Sequence, residues 1–314
     1  MRVAILDDIH RAWDGTEGIR RLRERAEVLV FTGPFGDPAA LRGFDTLIAN
    51  RERTRFTREL LEQLSEARVL VQTGNHANHI DFAAAHDCGI LVARASGGYS
   101  IGAAELTFGL AMAVMRQIPA SDAALRRGAW PAPSTPVLHG KTLGVVGLGR
   151  IGRHVARLGK AFGMRVAGWS RTLTDEAAAN SGAERRELDD LLGEADVVTI
   201  HVSLAPSSRG LLDARRIALM KPTAFLINTA RGPIVDEAAL VDALTAGRIA
   251  GAGLDVFDQE PLPPGHPLTT LGNVVLTPHI GWPTDDGYRR FATAACDVLL
   301  DYMAGRPVPA FEGH

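Results

Sequence analysis

The sequence predicts an α/β protein built as two doubly wound lobes, and three observations carry that prediction. Short Val/Ile/Leu-rich runs recur along the chain, each followed by a helical pattern, the alternation of strand and crossover helix in βαβ units. The runs are continuous rather than alternating, as in parallel strands covered by helices on both faces. And 314 residues exceed what a single core usually organises.

Taken in order, the first third offers five strands, "RVAILDD", "AEVLVFTG", "FDTLIAN", "RVLVQTG" and "GILVARA". Between them "TRELLEQLSEA" and "IDFAAAHDCG" read as crossover helices, the second stopping at Gly89. A long apolar helix is expected from Ser100 to Ile118, followed by the Pro-rich loop "RRGAWPAPSTPVLHG". Six more strands follow, "TLGVVGLG", "MRVAGWS", "ADVVTIHVS", "TAFLINTA", "AGLDVF" and "NVVLTPH", with helices between them. The stretch "DDGYRRFATAACDVLLDYMAG" is one more amphipathic helix. The first lobe lacks a covering helix that this last one can supply. The expected domains are therefore residues 1–99 plus 284–314, with residues 100–283 inserted between them.

Hydrophobic content of 46% and charged content of 22% are ordinary for a globular enzyme. A formal charge of −2 gives no electrostatic case for nucleic acid or an anionic membrane as partner. The Arg-rich stretches "RERTR" and "IRRLRER" are interleaved with acids and read as solvated faces. Cys88 and Cys296 share no motif, and His76, His79, His86 and Cys88 match no zinc spacing, so no metal is expected. Two unpaired thiols fit a reducing compartment. The chain opens directly on a strand, "MRVAILDD", with no leader pattern and no later apolar run of about 18 residues. A cytoplasmic location is the expectation.

Gly147, Gly149 and Gly152 form G-x-G-x-x-G between an apolar strand and the helical pattern "RHVARLGKAFG". In that context the first glycine permits a tight turn, the second lets a pyrophosphate approach the backbone, and the third lets helix pack on strand. The helix start then faces the phosphates with free N–H groups and partial positive charge. This is the dinucleotide fingerprint of a Rossmann/flavodoxin-like lobe. The next strand, "MRVAGWS", should end in an acid if the cofactor's ribose carries a free 2′-hydroxyl. Ser170 stands there instead, with Arg171 beside it. A hydroxyl and a guanidinium suit a 2′-phosphate, so the cofactor is expected to be NAD(P), with NADP(H) preferred. The alternative is an exposed Arg171 in an NAD enzyme of loose specificity.

Three charged residues stand just after strands in the inserted domain: Arg231 in "INTARG", Glu260 in "LDVFDQEP" and His279 in "LTPHIGWPT". Reduction of a 2-oxo acid needs a cation for the carboxylate and a proton donor for the carbonyl oxygen. Arg supplies bidentate carboxylate recognition, His is suited to proton donation near neutrality, and a carboxylate against the ring stabilises its charged form.

With "INTARGPIVDEAALVDAL", "AGLDVFDQEP" and "TPHIG" added to the glycine fingerprint, nearly the whole chain resembles the D-isomer-specific 2-hydroxyacid dehydrogenase family, glyoxylate/hydroxypyruvate reductase-like. The resemblance implies the two-lobed discontinuous fold. It implies Arg231 as the group binding and polarising the 2-oxo acid, His279 as acid/base and Glu260 as its partner. Arg150 and Ile151 would contact the pyrophosphate. Thr229, Ala230 and Arg231 would line the nicotinamide, Asp255 would hold its carboxamide or ribose, and Gly281 would also contact the cofactor. A homodimer is implied, the long helix from Ser100 spanning the lobes and covering part of the interface, as is closure of the lobes around a small 2-oxo acid.

The chain also departs from the family pattern. In the first lobe, "TGNHANHID" places Asn75, His76 and Ala77 where backbone N–H groups of relatives hold the substrate carboxylate. His76 adds bulk and possible charge. Trp282 follows "HIG" where a small residue is common, and would narrow the pocket or meet the substrate's tail. Ser203 and Ala205 replace the usual Pro and Thr, with little consequence expected. Two other readings share the fold: a phosphite-type dehydrogenase, and a cofactor-sensing corepressor-like interaction protein. Formate dehydrogenases generally carry Gln at the position of Glu260, which argues against that activity.

Overall fold

The computed structural model describes residues 1–74, 77–97 and 100–311. It divides into two units, Met1–Tyr99 with Pro283–His314, and Ser100–Trp282.

The first unit carries β1 (Arg2–Ile5), α1 (Glu17–Arg23), β2 (Glu27–Val30), β3 (Thr46–Ala49), α2 (Arg58–Gln63), β4 (Val69–Thr73), α3 (Phe82–Asp87) and β5 (Leu91–Ala95). Its five strands are parallel in the order β2-β1-β3-β4-β5. The continuous apolar runs of β1, β3 and β4 are buried, and one face of the sheet is filled by Leu6, Phe56, Leu61 and Leu70. β2 departs from the expectation. It is an edge strand, Glu27 is exposed and Leu29 is 47% exposed, so a continuous apolar run here is covered on one face only.

The second unit begins with α4 (Ser100–Met115) and α5 (Ile118–Arg126). Its sheet strands and crossovers are β6 (Thr142–Val146), α6 (Arg150–Ala161), β7 (Arg165–Trp169), α7 (Asp175–Ala179), β8 (Glu184–Arg185), α8 (Leu188–Glu194), β9 (Val197–Ile200), α9 (Ala214–Ile217), β10 (Phe225–Asn228), α10 (Glu237–Thr245), β11 (Gly251–Leu254) and β12 (Val274–Leu276). All seven strands are parallel, in the order β12-β11-β10-β9-β6-β7-β8. The order reverses at β6, which has β9 on one side and β7 on the other. In such sheets ligands sit beyond the carboxyl ends of the strands at that reversal. The two-residue β8 at the far edge was not among the predicted strands.

The apolar helix expected to run to Ile118 ends at Met115. Pro119 has no N–H to give the Met115 carbonyl, and its ring crowds that carbonyl. Gln117 takes a left-handed φ of 51° and α5 restarts at an angle of 59°. α4 is apolar on nearly every side, and its Ala104, Phe108, Leu110 and Ala111 are buried against α6, β10 and β11. α5 buries none of its residues. No single helix among the described residues is long and apolar enough to cross a membrane.

The last helix, α11 (Asp285–Met303), returns to the first unit, where it lies against α1, β4 and β5. Thr284 caps it, accepting the Gly287 N–H at 3.0 Å, and Tyr288, Phe291, Ala295, Cys296 and Leu299 form its buried stripe. Beyond it the chain pairs antiparallel with the free edge of β5, through Arg94 N–H to Pro309 C=O at 2.7 Å and Phe311 N–H to Val92 C=O at 3.1 Å.

The approach of α1 to α11 depends on Gly18. A β-carbon there would stand 3.0 Å from Thr293 Cα and 3.1 Å from the Ala292 carbonyl oxygen. Gly18→Leu should therefore push the helices apart and destabilise the fold by about 1–3 kcal/mol. Urea denaturation checks this, and an unchanged midpoint would mean that α11 is not held where described.

Candidate active site

The glycine turn is built so that only its middle glycine is open. Gly147 has φ 106°, and a β-carbon on it would lie 2.6 Å from the His201 carbonyl carbon. One on Gly152 would meet the Gly147 carbonyl oxygen at 2.0 Å. Gly149, the N-cap of α6, has nothing within 4 Å of where a β-carbon would be and makes no side-chain cap bond. An uncapped helix start behind an open glycine fits a pyrophosphate held by backbone N–H groups. Gly149, Arg150 and Ile151 form that helix start.

Ser170 follows β7, and its Oγ accepts the Leu148 N–H at 2.8 Å, tying that strand end to the glycine turn. Arg171 is exposed and donates from Nη1 to Ser207 Oγ at 2.7 Å. Beneath the turn lies His201, whose Nε2 has no partner. Burial pushes its pKa down to about 3. Desolvation alone accounts for that shift, with no charged group facing the ring among its causes.

His279 is different. Its backbone sits at φ 54°, unusual for a residue with a side chain, and the surrounding loop is pinned by one group. Asp255, immediately after β11, is 0% exposed. Its Oδ1 accepts the Thr277 hydroxyl at 2.5 Å and the Ile280 N–H at 2.8 Å, and its Oδ2 accepts the Gly281 N–H at 2.9 Å. Its carbonyl accepts the His279 N–H at 2.9 Å. The carboxylate predicted to face a cofactor is thus largely engaged in holding the 277–281 loop. Gly281 is buried against Asp255 and Ala103, and Trp282 is half-buried.

His279 Nδ1 lies 2.7 Å from Glu260 Oε2, while Glu260 Oε1 accepts the Phe257 N–H at 3.0 Å. Burial pushes the Glu260 carboxyl up. The hydrogen bond and charge of His279, the Phe257 N–H and the charge of Arg231 outweigh it and hold the group below the ordinary carboxylate value. With Nδ1 turned to a carboxylate, Nε2 is the ring atom available for proton transfer.

Arg231 is delivered by the turn after β10. Asn228 clamps that turn, its Oδ1 accepting the Ala230 N–H at 3.0 Å and its Nδ2 donating to the Arg231 carbonyl at 3.0 Å. Thr229 Oγ1 lies 2.9 Å from Thr107 Oγ1, and Arg231 Nη1 donates to the Ala230 carbonyl at 2.7 Å. Gly232 then allows the chain to press on the segment after β11, since a β-carbon there would overlap the Phe257 carbonyl carbon at 2.0 Å. Arg231, Glu260 and His279 are thereby gathered in one unit. Asn228, Thr107 and Thr277 are site-forming residues the sequence reading missed. The "NTA" run was the one available signal, since Asn often binds the backbone two residues on.

Of the predicted substrate residues in the first unit, Ala77 is buried in that unit's core. Asn75 and His76 lie outside the described residues.

Burial is also the leading influence on Asp255, raising its pKa above the ordinary carboxylate value against the four groups that favour its charge: the Thr277 hydroxyl, the Ile280 and Gly281 N–H groups and His279. A raised folded-state pKa gives stability that is full below the unfolded value of about 3.9 and is lost as pH rises through the folded value. Asp255→Asn removes that dependence. It also places an amide NH₂ against the Gly281 N–H. Melting temperature followed from about pH 4 to neutrality should fall further for the parent than for the variant. Turnover by the variant should drop on the order of 10²-fold as His279 loses its position. Parallel melting curves would contradict the buried-carboxylate account.

Residues 108–281 match the family model described as D-isomer specific 2-hydroxyacid dehydrogenase, NAD binding domain. A glyoxylate reductase of Aeropyrum pernix is 42% identical over 264 residues, 81% of this chain and 79% of the relative. A D-3-phosphoglycerate dehydrogenase of Methanocaldococcus jannaschii is 37% identical over 310 residues; these are 97% of this chain, which spans 58% of that relative's length. The solved structure of an acyclic imino acid reductase in complex with NADPH and D-Arg has a TM-score of 0.81 at 27% identity, covering 99% of this chain and 100% of that one. The chain belongs to the D-isomer specific 2-hydroxyacid dehydrogenase family.

Proposed function

We propose that the chain is a reductase of a small 2-oxo acid, glyoxylate- or hydroxypyruvate-like, using a nicotinamide cofactor with NADP(H) preferred. The observation that carries the reading is the His279–Glu260 pair at 2.7 Å, with Arg231 delivered beside it from the next strand end. The Arg231 guanidinium binds the substrate's C1 carboxylate and orients the carbonyl. His279 Nε2 donates its proton to the oxygen on C2. Glu260, an anion at neutral pH, holds Nδ1 and stabilises positive charge on the ring before that proton leaves. The cofactor, when bound, supplies the hydride that adds to C2. Run in reverse, the same nitrogen takes the hydroxyl proton of a D-2-hydroxy acid. The glyoxylate reductase match supports the small-substrate reading. Ser170 and Arg171, together with the NADPH of the imino acid reductase structure, support the cofactor preference.

We also infer a homodimer. α5 buries nothing in its own chain, and Ile118, Leu125, Val137 and the 86% exposed Trp130 leave an apolar surface that a second copy would cover. Light scattering on the purified chain checks this directly, and a monomer at micromolar concentration would refute it.

The decisive experiment follows cofactor oxidation with glyoxylate, hydroxypyruvate, its phosphorylated analogue and larger 2-oxo acids, each with NADPH and NADH, and cofactor reduction with phosphite. His279→Gln should keep cofactor binding and lower kcat roughly 10²–10⁴-fold on the best substrate. Parent-level turnover by that variant would remove His279 from the chemistry, and no turnover of any 2-oxo acid by the parent would overturn the reading.

A further inference from the structure

We propose that Ser207 sets cofactor choice: it holds Arg171 across the two loops that flank the glycine turn, and it donates its own hydroxyl proton to the 2′-phosphate. The inference rests on the NADP(H) reading above and extends it to a residue outside the glycine fingerprint and outside the strand end that follows it.

The sheet order makes the contact informative. β6, which ends in the glycine turn, is flanked by β7 and β9. Arg171 stands just after β7 and Ser207 lies in the loop after β9, so their 2.7 Å hydrogen bond joins the loops on either side of that turn. Both ends of the bridge are anchored. Ser170 fixes the β7 end to Leu148. On the other side, the Ser208 hydroxyl accepts the Ala205 N–H at 2.8 Å and donates to the Ser203 carbonyl at 2.7 Å, which rigidifies the loop and leaves Ser207 exposed at its surface. Neighbouring serines thus divide the work, one building the loop and the other meeting the guanidinium.

A serine hydroxyl that accepts from Arg171 through a lone pair still has a proton to give. A phosphate placed there meets a cation already held in position and one further donor, whereas a ribose 2′-hydroxyl offers no charge for the guanidinium to bind. Because Arg171 needs an acceptor at position 207, the chemistry of that side chain decides what else Arg171 can hold. A carboxylate at 207 would engage the guanidinium and repel a phosphate.

The test measures kcat/KM with NADPH and NADH, and binding of 2′,5′-ADP against 5′-AMP, for the parent, Arg171→Ala, Ser207→Ala and Ser207→Glu. The parent should favour NADPH and 2′,5′-ADP. Ser207→Ala should lower the NADPH-to-NADH ratio roughly tenfold, the effect of one charge-assisted hydrogen bond, through KM rather than kcat. Ser207→Glu should lower it further and abolish the preference for 2′,5′-ADP. If the parent favours NADPH and Arg171→Ala loses that preference while both Ser207 variants keep it, this inference is overturned and the cofactor reading stands. A parent with no preference for NADPH overturns both.

Discussion

A single buried carboxylate organises the chemistry of this chain. Asp255 is removed from water and would be costly there as an anion without partners, yet it receives one hydroxyl and two N–H groups from residues 277, 280 and 281. Those bonds give the loop a fixed path through the left-handed turn at His279, a conformation that a residue with a side chain adopts only when its surroundings impose it. The raised pKa of Asp255 and the placement of His279 are two consequences of the same arrangement. Desolvation opposes the charge, and the hydrogen bonds that offset desolvation are the ones that shape the loop.

Parallel register carries that order to the other two groups. Asn228 pairs with Leu254 and Leu254 with Leu276, so β10, β11 and β12 end at one level. Asp255 and Thr277 follow those ends directly, and Arg231 follows its own by three residues. Close approach does the rest: Gly232 brings the backbone after Arg231 against Phe257, whose N–H in turn orients Glu260. An arginine and a histidine 48 positions apart, with a glutamate between them in sequence, are gathered because three neighbouring strands stop together.

Much of this was legible in the residues. The eleven apolar runs became strands because β-branched residues in short blocks have few other ways to bury themselves, and G-x-G-x-x-G names its own turn. What escaped the reading depends on distance in space. The exposed face of β2 follows from its place at a sheet edge, which the local run of apolar residues does not encode. The break at Gln117 was in principle available from Pro119, but the apolar pattern continues through it and masked the stop. Asp255 was singled out because its sequence neighbours match a motif; that its oxygens also hold residues 22 to 26 positions away is a tertiary fact. Ser207 carried no signal at all, being one of three serines in a loop whose partner comes from a different strand end.

The gathered triad also explains why substrate identity is the least legible property of the chain. A carboxylate at C1 and an oxygen at C2 are common to every 2-oxo acid, and in the proposed mechanism Arg231, Glu260 and His279 address those two features alone. Discrimination among glyoxylate, hydroxypyruvate and a phosphorylated acid has to come from groups that meet C3 and beyond, where these molecules first differ in size and charge. On the proposed reading, Trp282 is the residue of the second unit expected to act there. Relatives with different substrate names match this chain over most of its length, so the family is fixed more firmly by the sequence than the choice of what the reaction acts on.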